Sequence, residues 1–177
     1  MEPKTELELY EMLLMMYLKG FVYWLRKMPP DKWDWTPDQA APTARIVAVH
    51  AWQWLICDRQ HIIEPDARQH TPVPEPPDDP EAFCVAFDAE TENWRQLLRG
   101  LTPEELDSPR RQFNLPDSKM NVRGFIGHIL QNTIYKNGQF TTLYFALGLD
   151  GTEPYDAPFP NPIYEEVVWS KADKGSE

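Results

Sequence analysis

The chain has 177 residues, enough for one ordinary domain, and its 42% hydrophobic and 12% aromatic content is ample for a buried core. Seventeen Lys and Arg stand against 28 Asp and Glu, a formal net charge of −11. That balance argues against non-specific nucleic-acid binding, which needs cations to neutralise phosphates, and against adhesion to anionic membranes. The densest basic runs are only pairs, Arg26 with Lys27 and Arg110 with Arg111, which read as solvated surface charge.

The first helical pattern runs from about Thr5 to Lys27. It carries Leu7, Tyr10, Leu14, Tyr17, Phe21, Trp24 and Met28 on one stripe at steps of three and four. "MPP" ends it, because the residue before a proline is pushed out of the α region. A second helix starts near Pro42 and reaches about Ile63, with Ile46, Val47, His50, Trp54, Cys57 and His61 expected on one face. "EPDARQHTPVPEPPDDP" then holds too many prolines for a helix or a central strand, so it reads as a loop crossing from one end of a bundle to the other.

A third helix begins near Asp79 to Pro80 and contains Phe83, Phe87, Trp94, Leu97, Leu98 and Leu101. After the loop "TPEELDSPRRQFNLPDSKMN", the fourth and longest helix covers roughly Val122 to Leu147. It stops at Gly148, the residue type usual at a left-handed C′ position. The tail beyond is turn-rich and then offers "IYEEVVW", whose apolar ends suit docking on the bundle or on a second subunit. Four long amphipathic segments with long connections imply an all-α fold, a four-helix bundle with long crossover connections. The expected division is a bundle over 1–151 and a docking tail over 152–177.

Cys57 and Cys84 have no CxxC spacing and read as inert thiols. The acidic N-terminus is unlike a signal peptide, and no run approaches the roughly 20 apolar residues of a membrane span, so a cytoplasmic protein is expected. There is no glycine-rich phosphate loop and no GxSxG. Asp58, Glu90 and Glu92 read as solvated helix charges, and His70 carries no signal. Trp33, Trp35, Trp52, Trp54 and Trp94 suit core packing first and a ligand pocket second.

"GHILQNTIYKNGQF" spaces His128, Asn132 and Lys136 four apart. Each step turns about 40° and rises about 6 Å, so the three form a slanted ridge. His61 shares a face with His50 but stands about three turns, roughly 16 Å, away from it, too far to share a metal.

Two stretches together resemble the DinB-like (YfiT-like) family of four-helix-bundle metalloproteins. "MPPDKWDWTPDQAAPTARIVAVHAWQW" is similar to the family's exit from helix one, its Trp-rich connection and a second helix with a metal-binding histidine, which falls on His50. "NVRGFIGHILQNTIYKNGQFTTLYFALGLDG" is similar to the family's His-x-x-x-His helix followed by a basic or polar residue, Gly and Gln. Aligned through Gly138 and Gln139, the two histidines fall on Asn132 and Lys136.

The resemblance implies a divalent-metal site, often nickel or zinc, held by three histidines of the second and fourth helices, and an activity class of thiol-dependent transferases and isomerases. Only His50 of those three is kept. Asn132 offers a weak carbonyl donor, whereas a Lys136 ammonium has no lone pair and repels a cation.

The leading expectation is therefore a degenerate site with no metal cofactor, in a non-catalytic binding or assembly protein. Its small polar pocket would lie between helices two and four, lined by His50, Trp54, His128, Asn132, Lys136 and Gln139. His50 and Asn132 are expected to face one another across the interior. Lys136 either donates to His50 and to the Asn132 carbonyl or reaches solvent along its stem. The alternative is a divalent-metal-dependent enzyme using His50, His128 and Asn132 as a rearranged ligand set. More distant is a metal-free enzyme with Lys136 as base or nucleophile. Expected partners are a second copy, as a homodimer, and a small-molecule ligand.

Overall fold

The computed structural model describes residues 3–110 and 120–149. They form four long helices, α1 (Glu6–Lys27), α2 (Ala44–Ile63), α3 (Pro80–Gly100) and α4 (Val122–Ala146), with short 3-10 turns between them. Among the described residues there is no strand, only an isolated bridge between Pro109 and Asn121. Each helix begins where a side chain satisfies an otherwise unpaired backbone N–H. Thr5 accepts from Glu8, Thr43 from Ile46, Asp79 from Ala82 and Asn121 from Gly124. α4 ends as expected, with Gly148 at φ +68°, a conformation that side chains with a Cβ seldom adopt.

Pairings read from side chains fix the directions. Arg26 near the end of α1 meets Glu81 and Asp88 of α3, while Arg99 near the end of α3 meets Glu11 of α1, so these two helices are antiparallel. α2 and α4 are antiparallel too, with Trp54 against His128 and His61 against Phe125. α1 and α4 run parallel, with Phe21 against Phe140 and Trp24 against Tyr144. α2 and α3 also run parallel, with Trp52 against Phe83 and Arg59 against Glu90. Two consecutive parallel helices require the connection 64–79 to travel the length of the bundle, which is the long crossover expected from its prolines.

The core is built from Trp33, Trp94, Phe21, Phe83, Phe87 and Phe125, all nearly or fully enclosed. Trp94 is 0% exposed, and its indole N–H donates to the Leu55 carbonyl at 2.9 Å, so a polar group crosses the core without being orphaned. α2 differs from expectation. Its inward face is Ala44, Val47, Ala48, Ala51, Leu55, Asp58 and Ile62, while Ile46 is 56% exposed. The alanines let the backbone of α2 approach its neighbours, and the larger Ile46, His50 and Trp54 fall on the flank.

No helix among the described residues is long and apolar enough to cross a membrane. Asp150, the tail 151–177 with "IYEEVVW", and Arg111 lie outside the described residues. Trp94→Phe should retain the fold but lose the hydrogen bond and leave a void, lowering stability by about 1–2 kcal/mol in urea unfolding.

Candidate functional site

The seam between α2 and α4 brings together most of the residues singled out by sequence, though not as the sequence suggested. Asp58, expected on a solvated face, is 0% exposed. Its Oδ2 accepts a hydrogen bond from His128 Nδ1 at 2.6 Å, and its Oδ1 has no partner among the described residues. Its burial was visible in spacing, since Ala51, Leu55 and Ile62 form an inward stripe with Asp58 in register. Glu90 corrects in the same way. It sits between Phe87 and Trp94 on the inward stripe of α3, 5% exposed, and takes Arg59 at 2.5 and 3.0 Å and Asn93 at 2.9 Å. Glu92 is exposed as expected.

His128 is half-buried, and Nδ1 is its bonded nitrogen. Nε2 has no hydrogen-bond partner among the described residues and is not sealed from solvent. The Trp54 ring stands edge to face with it, centroids 5.1 Å apart. Trp54 in turn donates its indole N–H to His50 Nε2 at 3.0 Å. His50, Trp54, His128 and Asp58 are thus a continuous chain of contacts along one seam.

His50 is exposed rather than facing Asn132 across the interior. It lies on the flank of α2 that the inward alanines leave outside. Burial on one side, and then the nearby Lys136 ammonium, lower its proton affinity below the usual histidine value. Lys136 is buried along its stem, 9% exposed, and its ammonium donates to Gln139 Oε1 at 2.9 Å beside the exposed Tyr135 ring. It bonds neither His50 nor Asn132, so the first of the two alternatives, donation to both, is not the arrangement found. The four-carbon stem carries the charge along α4 to its edge, where hydration is easier. Desolvation still lowers its pKa. Asn132 is half-buried, with Oδ1 enclosed and unpartnered.

His61 is 6% exposed, stacked on Phe125 with centroids 4.8 Å apart, and donates Nδ1–H to the Cys57 carbonyl at 2.7 Å. Burial holds it neutral. His70 is not idle in the crossover, since it packs edge-on against His61 and bonds the Glu64 carbonyl. Burial raises both thiols, Cys84 to about 11, consistent with inert cysteines. Among the described residues no three His, Cys, Asp or Glu side chains gather as a metal-holding group. Of the described tryptophans, Trp24, Trp33, Trp52 and Trp94 serve the core, and Trp54 lies in the seam.

Asp58 and His128 both hold a proton more tightly than their free counterparts, Asp58 through burial and His128 through the carboxylate it bonds. A raised folded-state pKa gives a stabilising contribution that is full below the unfolded pKa and lost as pH rises through the folded one. His128→Gln should therefore cost more stability at pH 6 than at pH 9 in denaturant unfolding. An equal loss at both values would show that the pair is not proton-linked.

Every residue of this seam lies inside a stretch, residues 18–140, that matches the family model of the DinB superfamily. No curated protein matches the chain significantly. The match spans well over half of the chain, agrees with the four-helix architecture, and includes the first segment that carried the sequence resemblance and the second as far as Phe140. This chain belongs to the DinB superfamily.

Proposed function

We propose that this protein works without a resident divalent metal, as a binding protein that takes a small polar ligand in the groove between α2 and α4. The observation that carries this reading is Lys136. It stands where the family resemblance implies an imidazole ligand, and its Nζ, with no lone pair while protonated, donates to Gln139 Oε1. The neighbouring positions support the same reading. His50 Nε2 already accepts the Trp54 N–H, and the Asn132 oxygen is enclosed. The residues present do not fit a tightly held divalent ion, which wants at least three available N, O or S donors. The rearranged set of His50, His128 and Asn132 meets the same objection, with one engaged ring, one available nitrogen and one enclosed carbonyl.

Positive and polar groups remain for a ligand: the Lys136 ammonium, the Gln139 amide, the Tyr135 hydroxyl and His128 Nε2 on a common seam, with Trp54 as an apolar wall. That composition suits a small molecule with an acceptor group and a flat or apolar portion.

Untagged protein should contain less than a stoichiometric amount of nickel, zinc, iron or manganese by elemental analysis. Added nickel or zinc should move the melting temperature by no more than about 1–2 °C, since a ligand stabilises only as far as it binds the folded state. Asn132→His combined with Lys136→His should bind either metal, and raise the melting temperature by about 5 °C or more at saturating metal, if the His50 ring leaves Trp54 and turns toward α4. One tightly held metal ion per wild-type chain would overturn this reading.

A further inference from the structure

The most enclosed charge in the seam has a single side-chain partner. Asp58 is fully buried, and its one hydrogen bond, 2.6 Å to His128 Nδ1, crosses from α2 to α4. Holding two helices together does not require this, because two apolar side chains would do so without burying a carboxylate. The pair does accomplish one chemical task. With Asp58 ionised, the Nδ1 proton points inward, and the Nε2 lone pair is turned away from Asp58, where it meets no partner among the described residues and is not sealed from solvent. The Trp54 ring limits rotation of the imidazole, and the bond from Trp54 to His50 limits rotation of the indole.

We propose that Asp58 and His128 form a proton-accepting pair, His128 Nε2 being the base and Asp58 its positioning residue. The pair acts on a neutral ligand that carries a weakly acidic hydroxyl or thiol group and lies in the α2/α4 groove. This rests on the metal-independent reading and adds a reactive group to it. The ligand's X–H bond breaks heterolytically, the proton passes to Nε2, and the electron pair stays on X. The imidazolium so formed is held by the Asp58 carboxylate. A carboxylate-backed imidazole also suits a metal ligand, but no further donors gather with it among the described residues.

The titratable groups around the pair are Cys57 and His61 on α2, and His70 of the crossover acting through His61. Burial raises the pKa of the Cys57 thiol and lowers that of His61, favouring the neutral form of each, and among the described residues Asp58 is the charge that acts on His128. Lys136 is two turns further along α4, roughly 12 Å by helical rise. Its field falls on His50.

The probe is p-nitrophenyl acetate, with water standing in as the weakly acidic hydroxyl. Water gives its proton to Nε2, its oxygen joins the acetyl carbon, and p-nitrophenolate leaves. Rates are measured both with and without excess chelator. The wild-type rate should rise with pH through the His128 titration, and His128→Gln should lower it at least tenfold. Asp58→Asn should shift the pH–rate midpoint downward, a change that a merely structural role would not produce. A second measurement needs no variant. Side-chain nitrogen NMR of the wild type should find neutral His128 as the Nδ1–H tautomer, with a midpoint above that of His50.

A chelator-insensitive rate that His128→Gln leaves unchanged, an unmoved midpoint in Asp58→Asn, or the Nε2–H tautomer would each overturn the base assignment. A rate abolished by chelator and restored by metal would instead overturn the metal-independent reading beneath it.

Discussion

A carboxylate drawn fully out of water must find a partner, and its partner must then stay where it is. Asp58 lies at the centre of the α2/α4 seam under that constraint, and among the described residues His128 is its only side-chain hydrogen-bond partner. The bond sets the register of the two helices, because a slide of one turn would place Asp58 against Phe125 or Asn132 rather than an imidazole N–H. The other cross-seam contacts follow from that register. Trp54 meets His128, His61 stacks on Phe125, and Lys136 comes within electrostatic range of His50. An ordinary hydrophobic seam would tolerate slippage more easily than this one.

The helix order places this seam opposite another of different character. α1 meets α3 through Phe21 and Phe87 inside and through ion pairs at both ends, Arg26 with Glu81 and Asp88, and Arg99 with Glu11. Those pairs are exposed and individually contribute little. They also commit arginines to carboxylates in a chain that is acidic overall. The α2/α4 seam instead carries the rings of His50, Trp54, His61, Phe125 and His128 and one buried acid, so three imidazoles and a carboxylate are gathered along one seam.

Helix extents were legible because each is set locally. Thr5, Thr43, Asp79 and Asn121 cap the starts, and Pro29 and Gly148 mark two of the ends. The crossover was legible because its prolines exclude every alternative. The α2/α4 seam was half legible. Periodicity placed His128, Asn132 and Lys136 on α4 but could not say that Lys136 would bond Gln139 within its own helix. Asp58 and Glu90 were misread because a charge on a helix is solvated by default. Only their partners, His128 seventy residues away and Arg59 on the preceding helix, make burial tolerable. On α2, helical spacing placed Ile46, His50 and Trp54 on the inward face with Val47 and His61, whereas the close approach made at Ala44, Ala48 and Ala51 turns the first three to the flank.

The parallel course of α2 and α3 makes the chain between them a matter of reach. A helix of 20 residues is about 30 Å long, and residues 64–79 could cover roughly 50 Å in an extended proline-rich conformation. About ten residues would be the shortest strap able to join the two ends. Lengthening is gentle, each doubling of a loop adding only about 0.6 kcal/mol of closure entropy. Variation among sequences sharing this topology should therefore be lopsided at this point, with insertions of many lengths accepted and a sharp lower limit on deletion. A chain trimmed below that limit would have to reverse α3, and the register that joins Arg59 to Glu90 would go with it.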